Sequence, residues 1–268
     1  MGHLINKNSI LWTGQIIAFW PVWKWYILRI TDNSDEPWGI LALITVFLLT
    51  FQRKRKELKF QNMNLLLPAL LTLLYSITFH FFHPLFRGMI VVTVIGSILS
   101  FLCYGRPFHT GIWLLLLWSL PIVASLQFYM GYPLRVLTGF LSAPLIHLAG
   151  FDVIPEGTTL KWRGELILID APCSGIRMLW VGLYLTFTLT CFRNLSPMKT
   201  IVGSIGSLLI IIFANSIRAS ALFFTEAKII NLPSWSHEGI GIMVFLCAAI
   251  LITWLVKYID KRPGAAAR

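Results

Sequence analysis

Residues 200–220 read TIVGSIGSLLIIIFANSIRAS, twenty-one positions with a single charge, Arg218, near the end. As an α-helix such a run is about 30 Å long, the thickness of a bilayer's hydrocarbon core. Its apolar residues fill the run instead of striping one face, which marks a membrane span and not a surface helix of a soluble globule. Similar runs lie on both sides. The sequence predicts spans over Ile10 to Ile30, Trp38 to Phe51, Met63 to Phe82, Gly88 to Tyr104, Gly111 to Met130, Cys173 to Phe192, Thr200 to Ser220 and Gly239 to Tyr258. The whole composition agrees: 57% hydrophobic, 12% charged and a mean hydropathy of +0.75 exclude a water-soluble fold. An all-α polytopic membrane protein follows, with about eight transmembrane helices in a single integral-membrane domain, 1–268. Little chain is left over except an extracytoplasmic insertion at about 131–172.

The net charge of +11 suggests a nucleic-acid partner by itself, but the cations follow the membrane. With a cytoplasmic amino terminus, 13 of the 22 basic residues fall on the inner side. Among them are the run Arg53, Lys54, Arg55, Lys56 with Lys59, then Arg106, Arg193, Lys199, Lys257 and the tail Lys261, Arg262 and Arg268. The positive-inside rule then places both termini in the cytoplasm of a cell-membrane protein, with lipid and no nucleic acid as its surroundings. The second span, 14 residues long, is the shortest; Asp32, Asp35 and Glu36 before it and Arg53 to Lys56 after it flank a short crossing. The first apolar stretch holds Trp12, Trp20, Pro21, Trp23, Lys24 and Trp25 with no small-residue cleavage pattern, so it is expected to stay as an anchor. The tryptophans read as interfacial belts.

The insertion has two parts. Leu134 to Leu148 reads as an amphipathic interfacial helix broken by Pro144. From Phe151 to Asp170 the period changes to that of short strands: Val153 and Ile154, a turn at Pro155, Glu156 and Gly157, Thr158 to Trp162, a turn at Arg163 and Gly164, and Glu165 to Ile169. This small β-hairpin cap between spans five and six delivers the chain to Asp170, Ala171, Pro172, Cys173, Ser174, Gly175, Ile176 and Arg177.

At that point the residues carry chemistry. Pro172 favours a helix start and so places Cys173 in an electropositive first turn, with Arg177 four residues on. The expected effect is a thiol pKa below the free value of about 8.5, opposed by Asp170. Cys103, Cys191 and Cys247 sit in or at the end of apolar runs and read as packing residues. Arg218, in Asn215, Ser216, Ile217, Arg218, is costly in a span and therefore a functional candidate, with Asn215 three residues earlier to orient it. His237, between Ser236 and Glu238, reads alone as an interfacial histidine capping a helix; at the mouth of span eight it joins the other two. A thiol, a guanidinium and an imidazole thus begin or end three consecutive spans on one membrane face. They supply a nucleophile, a cation for an oxyanion and a general acid and base. No metal and no cofactor are expected: the cysteines have no ligand spacing, and His80, His83 and His109 read as interfacial anchors.

In these segments the chain resembles the exosortase/archaeosortase family of membrane cysteine transpeptidases. The match lies in Ala171 to Arg177, in Asn215 to Arg218 and in His237 before the last span, and the topology and the hairpin ahead of the cysteine also look like the family. Pro37, Trp38 and Gly39 stand where many members carry a His-Gly pair. The resemblance implies Cys173, Arg218 and His237 as catalytic residues, with Arg177, Asn215 and Ser174 supporting them. It implies as substrates exported proteins with a carboxy-terminal sorting signal of the PEP-CTERM kind (a short motif, a transmembrane helix and a basic tail), transferred through a thioacyl enzyme to an acceptor. A link to exopolysaccharide export comes with it. Two other classes stand beside this one. A transporter calls for ionisable residues at span midpoints and half-chain symmetry, neither of which the sequence has. A scaffold subunit of a polysaccharide or protein export system would tolerate loss of the thiol.

Overall fold

The computed structural model describes residues 7–31, 36–52, 66–169, 174–231, 233 and 235–261, with the backbone alone at 7–11. Outside the described residues lie Asp32 and Asp35, the basic run from Arg53 to Lys59, Met63, the stretch Asp170 to Cys173, and the tail cations Arg262 and Arg268. The fold is mostly helical and divides into two compact units, Met1–Ile122 and Val123–Arg268.

The first unit holds α1 (Lys7–Ala18), α2 (Trp20–Thr31), α3 (Gly39–Gln52), α4 (Leu66–Thr78), α5 (Pro84–Tyr104) and α6 (Thr110–Trp118). The expected first span is broken at Phe19. Pro21 has no N–H to donate and its ring crowds the carbonyl four residues back. Val22 and Trp23 turn instead to the Phe19 carbonyl, at 2.9 and 3.1 Å. Phe19 is fully buried and meets Tyr75 edge to face at 5.0 Å, in a core shared with Val91, Val94 and Ile98. Helix α5 starts four residues earlier than expected, because Pro84 suits a first turn and His83 Nδ1 accepts the Leu85 N–H at 3.4 Å. His109 is no interfacial anchor. It is 1% exposed, stacks on Tyr104 at 3.7 Å and caps α6 by accepting the Ile112 N–H at Nδ1, 3.3 Å.

The second unit holds α7 (Val123–Leu148), β1 (Ile154–Glu156), β2 (Thr159–Trp162), β3 (Glu165–Leu168), α8 (Ile176–Phe192), α9 (Pro197–Glu226) and α10 (Ser236–Asp260). Helix α7 corrects the boundary expected at Met130. It begins just past Pro121 and runs unbroken through Pro133 and Pro144, both on its exposed side. The interfacial helix from Leu134 is therefore the second half of α7. Among the described residues three helices, α5, α9 and α10, are long and apolar enough to cross a membrane, or four crossings if α6 and α7 form one interrupted span.

The cap is a three-stranded antiparallel meander in the order β1-β2-β3. Ile154 pairs with Lys161 and Glu156 with Thr159, so the first turn is Gly157-Thr158 and Pro155 lies inside β1 instead of in the turn expected there. Gly157 has φ +61°, the left-handed first position that glycine fills without strain. Trp162 pairs with Glu165 across Arg163 and Gly164, both left-handed at φ 51° and 85°, as a primed hairpin turn requires. Leu160 and Ile169 of the meander pack with Ala143 and Ile146 of α7 and with Leu222 and Phe223 of α9, which seats the cap on the ends of those helices.

Small residues bring the helices together. Ser142 Oγ of α7 donates to the Ser216 carbonyl of α9 at 3.0 Å, and Thr186 Oγ1 of α8 donates to Ser207 Oγ of α9 at 2.8 Å. At one end Arg193, just past α8, pairs with Asp260 of α10 at 2.7 Å, and Lys199 near the start of α9 donates to the Asp260 carbonyl at 3.5 Å. That end gathers the finish of α8, the start of α9 and the finish of α10. The start of α8, the finish of α9 and the start of α10 therefore share the opposite end.

Candidate functional site

Heights along this bundle follow from helix geometry. At 1.5 Å per residue above Arg193, Lys199 and Asp260, Gly175 stands about 27 Å up, Arg218 and Gly241 about 29 Å, and His237 about 35 Å. The contacts agree with the count. A Cβ built on Gly241 of α10 would lie 3.1 Å from Arg218 Nε and 3.6 Å from its Cζ, so the guanidinium rests on the bare backbone of α10. A Cβ on Gly175 would lie 2.8 Å from Asn215 Cγ, so the start of α8 is pressed against α9 one turn before Arg218. The separation from the Arg193–Asp260 end is close to the roughly 30 Å thickness of a bilayer's hydrocarbon core. Arg218 is half-buried, with its Nε shielded from solvent.

Helix α8 starts later than expected from Pro172. Gly175 is its N-cap, at φ +79°, and Ile176 its first residue. Arg177, exposed, is the second. Cys173 and its neighbours Asp170, Ala171 and Pro172 lie outside the described residues, but the chain on either side is firmly held. Before them, Ile169 donates its N–H to the Thr158 carbonyl at 2.9 Å and is 6% exposed. After them, Ser174 is buried and its Oγ donates to Gln127 Oε1 of α7 at 3.1 Å.

Those two anchors open into two small spaces. Ile169 lines a cleft of about 30 Å³ with Leu160 and Ile167 of the cap, Leu222 and Glu226 of α9, and His237. Ser174 and Gly175 line a second of about 10 Å³ with Thr138, Leu179 and Asn215. His237 is half-buried at the second position of α10. It is not the cap of that helix: Trp235 holds the N-cap position, without a side-chain hydrogen bond.

The structure thus brings Arg218, His237, Ser174 and Asn215 to one end of the second unit. It gives Asn215 a task that its spacing from Arg218 did not suggest: Asn215, 3% exposed, donates from Nδ2 to Thr138 Oγ1 of α7 at 3.0 Å while backing the α8 N-cap. Four residues that sequence reasoning passed over belong here as well: Gln127, Thr138, Glu226 and Gly241. Gln127, an amide in an apolar run, and Glu226, a charge just past the end of one, carried a signal, whereas Thr138 and Gly241 did not. Gly175→Ala is expected to strain the left-handed N-cap by about 2 kcal/mol and to push against Asn215. Thermal unfolding of the detergent-solubilised chain should fall by several degrees, and an unchanged midpoint would remove Gly175 from this brace.

The family model described as Transmembrane exosortase matches residues 6–254. No curated protein matches the chain, and no solved structure does.

Proposed function

The chain belongs to the transmembrane exosortase family, and from that membership we propose a membrane-embedded cysteine transpeptidase with Cys173 as nucleophile, Arg218 as oxyanion cation and His237 as general acid and base. The substrate is an exported protein ending in a short motif, a transmembrane helix and a basic tail. Its anchor helix docks beside the bundle and brings the motif to the extracytoplasmic boundary, while both termini of the enzyme stay in the cytoplasm. The Cys173 thiolate attacks the scissile carbonyl, the Arg218 guanidinium takes up the charge on the tetrahedral oxygen, and His237 protonates the departing amine. A thioacyl enzyme remains, and an acceptor amine or water releases it. Asn215 and Ser174 position the segment that bears Cys173, and the exposed Arg177 meets substrate or lipid headgroups.

One observation carries this reading: the residues flanking 170–173 are anchored in the two spaces that His237 and Asn215 line, one turn from Arg218. The test is direct. The full chain in proteoliposomes is mixed with candidate tripartite substrates, quenched in acid and digested. A peptide carrying the substrate fragment as a thioester on Cys173 is expected. Cleaved substrate with no adduct on Cys173, or an adduct on another residue, rejects the assignment.

A further inference from the structure

Glu226 is the last residue of α9, where aligned peptide dipoles leave partial negative charge and a carboxylate is disfavoured. Among the described residues no cation pairs with it, unlike Glu156, which pairs with Lys161, and Asp260, which pairs with Arg193. The side chain instead lines the otherwise apolar cleft that His237 shares with the cap. An exposed carboxylate at the negative end of its helix and a half-buried imidazole thus line one small cleft.

The cleft's size narrows the ligand. Its 30 Å³ or so holds about one water-sized group. A primary ammonium is of that size, bears the complementary charge and donates three hydrogen bonds. We propose that Glu226 is the recognition group for a cationic primary amine that serves as the acceptor in the second half of the reaction; this rests on the thioacyl reading above. The carboxylate holds the ammonium at the cleft, and His237 takes one proton from it. The freed amine adds to the thioester carbonyl, and the tetrahedral adduct collapses with cleavage of the carbon–sulfur bond and formation of the amide. The sulfur leaves as thiolate and is reprotonated by the imidazolium, while the second proton of the nitrogen passes to solvent. Thioester plus ammonium thus gives amide, thiol and one proton, with no change in oxidation state.

The test uses the full chain in proteoliposomes and a substrate identified by its fragment on Cys173. Ethanolamine, cationic at neutral pH, and hydroxylamine, mostly uncharged there, are supplied separately as acceptors. Mass spectrometry reads the ratio of amide or hydroxamate to free acid. Glu226→Gln, an isosteric change at an exposed residue, is expected to lower the ethanolamide ratio about tenfold, the effect of one charge-assisted hydrogen bond, and the hydroxamate ratio less than about twofold. Equal losses with both acceptors, or no loss with ethanolamine, overturn the subsite. So does a Glu226→Gln defect confined to formation of the thioester, because the cation would then belong to the first substrate. If the wild-type chain forms no thioester on Cys173 at all, the transpeptidase reading fails first and the subsite goes with it.

Discussion

Cys173→Ala is expected to leave exported substrates with their carboxy-terminal helices attached, a loss of cleavage on the order of 10⁴-fold or more. The size of the loss follows from the inventory around residue 173. Cysteine is the strongest nucleophile in the segment, and Ser174 next to it is turned away from substitution for it: its hydroxyl is buried and donates to Gln127 Oε1. A serine hydroxyl at 173 is a far weaker nucleophile than a thiolate, so Cys173→Ser should also lose most activity. The fold is expected to survive loss of the thiol, because the chain is fixed on both sides by Ile169 and Ser174. Thermal unfolding of the variant should match wild type, while mass spectrometry of the membrane fraction should find uncut precursors. Processing at the wild-type rate in Cys173→Ala would remove the nucleophile and restore the scaffold and transporter readings to equal standing.

The parts of this molecule that could be read from sequence depend on local chemistry, and the parts that could not depend on distant partners. Apolar runs give away a membrane protein at once, and the switch to period two between Phe151 and Ile169 gives away the cap. Breaks inside the runs are harder. Pro21 and Pro121 interrupt helices, whereas Pro133 and Pro144 sit within α7 on its exposed side. The ring is the same in all four; neighbouring structure decides whether the freed carbonyl is satisfied. The expected eight crossings rested on apolar run length and flanking charge, and among the described residues the helices long and apolar enough to cross number three or four. In the site, Arg218 stood out because charge near a span is costly, and His237 stood out only by converging with the thiol and the guanidinium on one membrane face. The work of Asn215 did not, since its partner Thr138 is 77 residues away and the glycine it backs is on a third helix. Gly241 is silent in sequence for the same reason: only the guanidinium lying on it gives it meaning.

That resting place makes Arg218 the second large effect. Arg218→Lys keeps a positive charge but replaces a planar fork by a flexible ammonium, which in the proposed mechanism loses the fixed aim on the oxyanion. Removing one oxyanion donor from an enzyme site typically lowers turnover 10²- to 10³-fold, and Arg218→Gln is expected to fall in or beyond that range, with Arg218→Lys nearer its lower edge. The loss belongs in kcat, because the oxyanion exists only after attack, and substrate KM should move little. Gly241→Ala supplies the geometric counterpart. Its methyl group would come within 3.1 Å of Arg218 Nε, tighter than ordinary contact, so the guanidinium must shift by a few tenths of an ångström. A catalytic Arg218 should therefore lose kcat on Gly241→Ala by about tenfold with its charge intact, since misplacement by fractions of an ångström is costly at a reacting centre. An arginine that serves only to reach the headgroup layer would be indifferent to that methyl group and would be replaced by lysine without penalty. Single-turnover cleavage by the three variants separates the two roles: wild-type rates in Arg218→Lys and Gly241→Ala would take Arg218 out of the reaction.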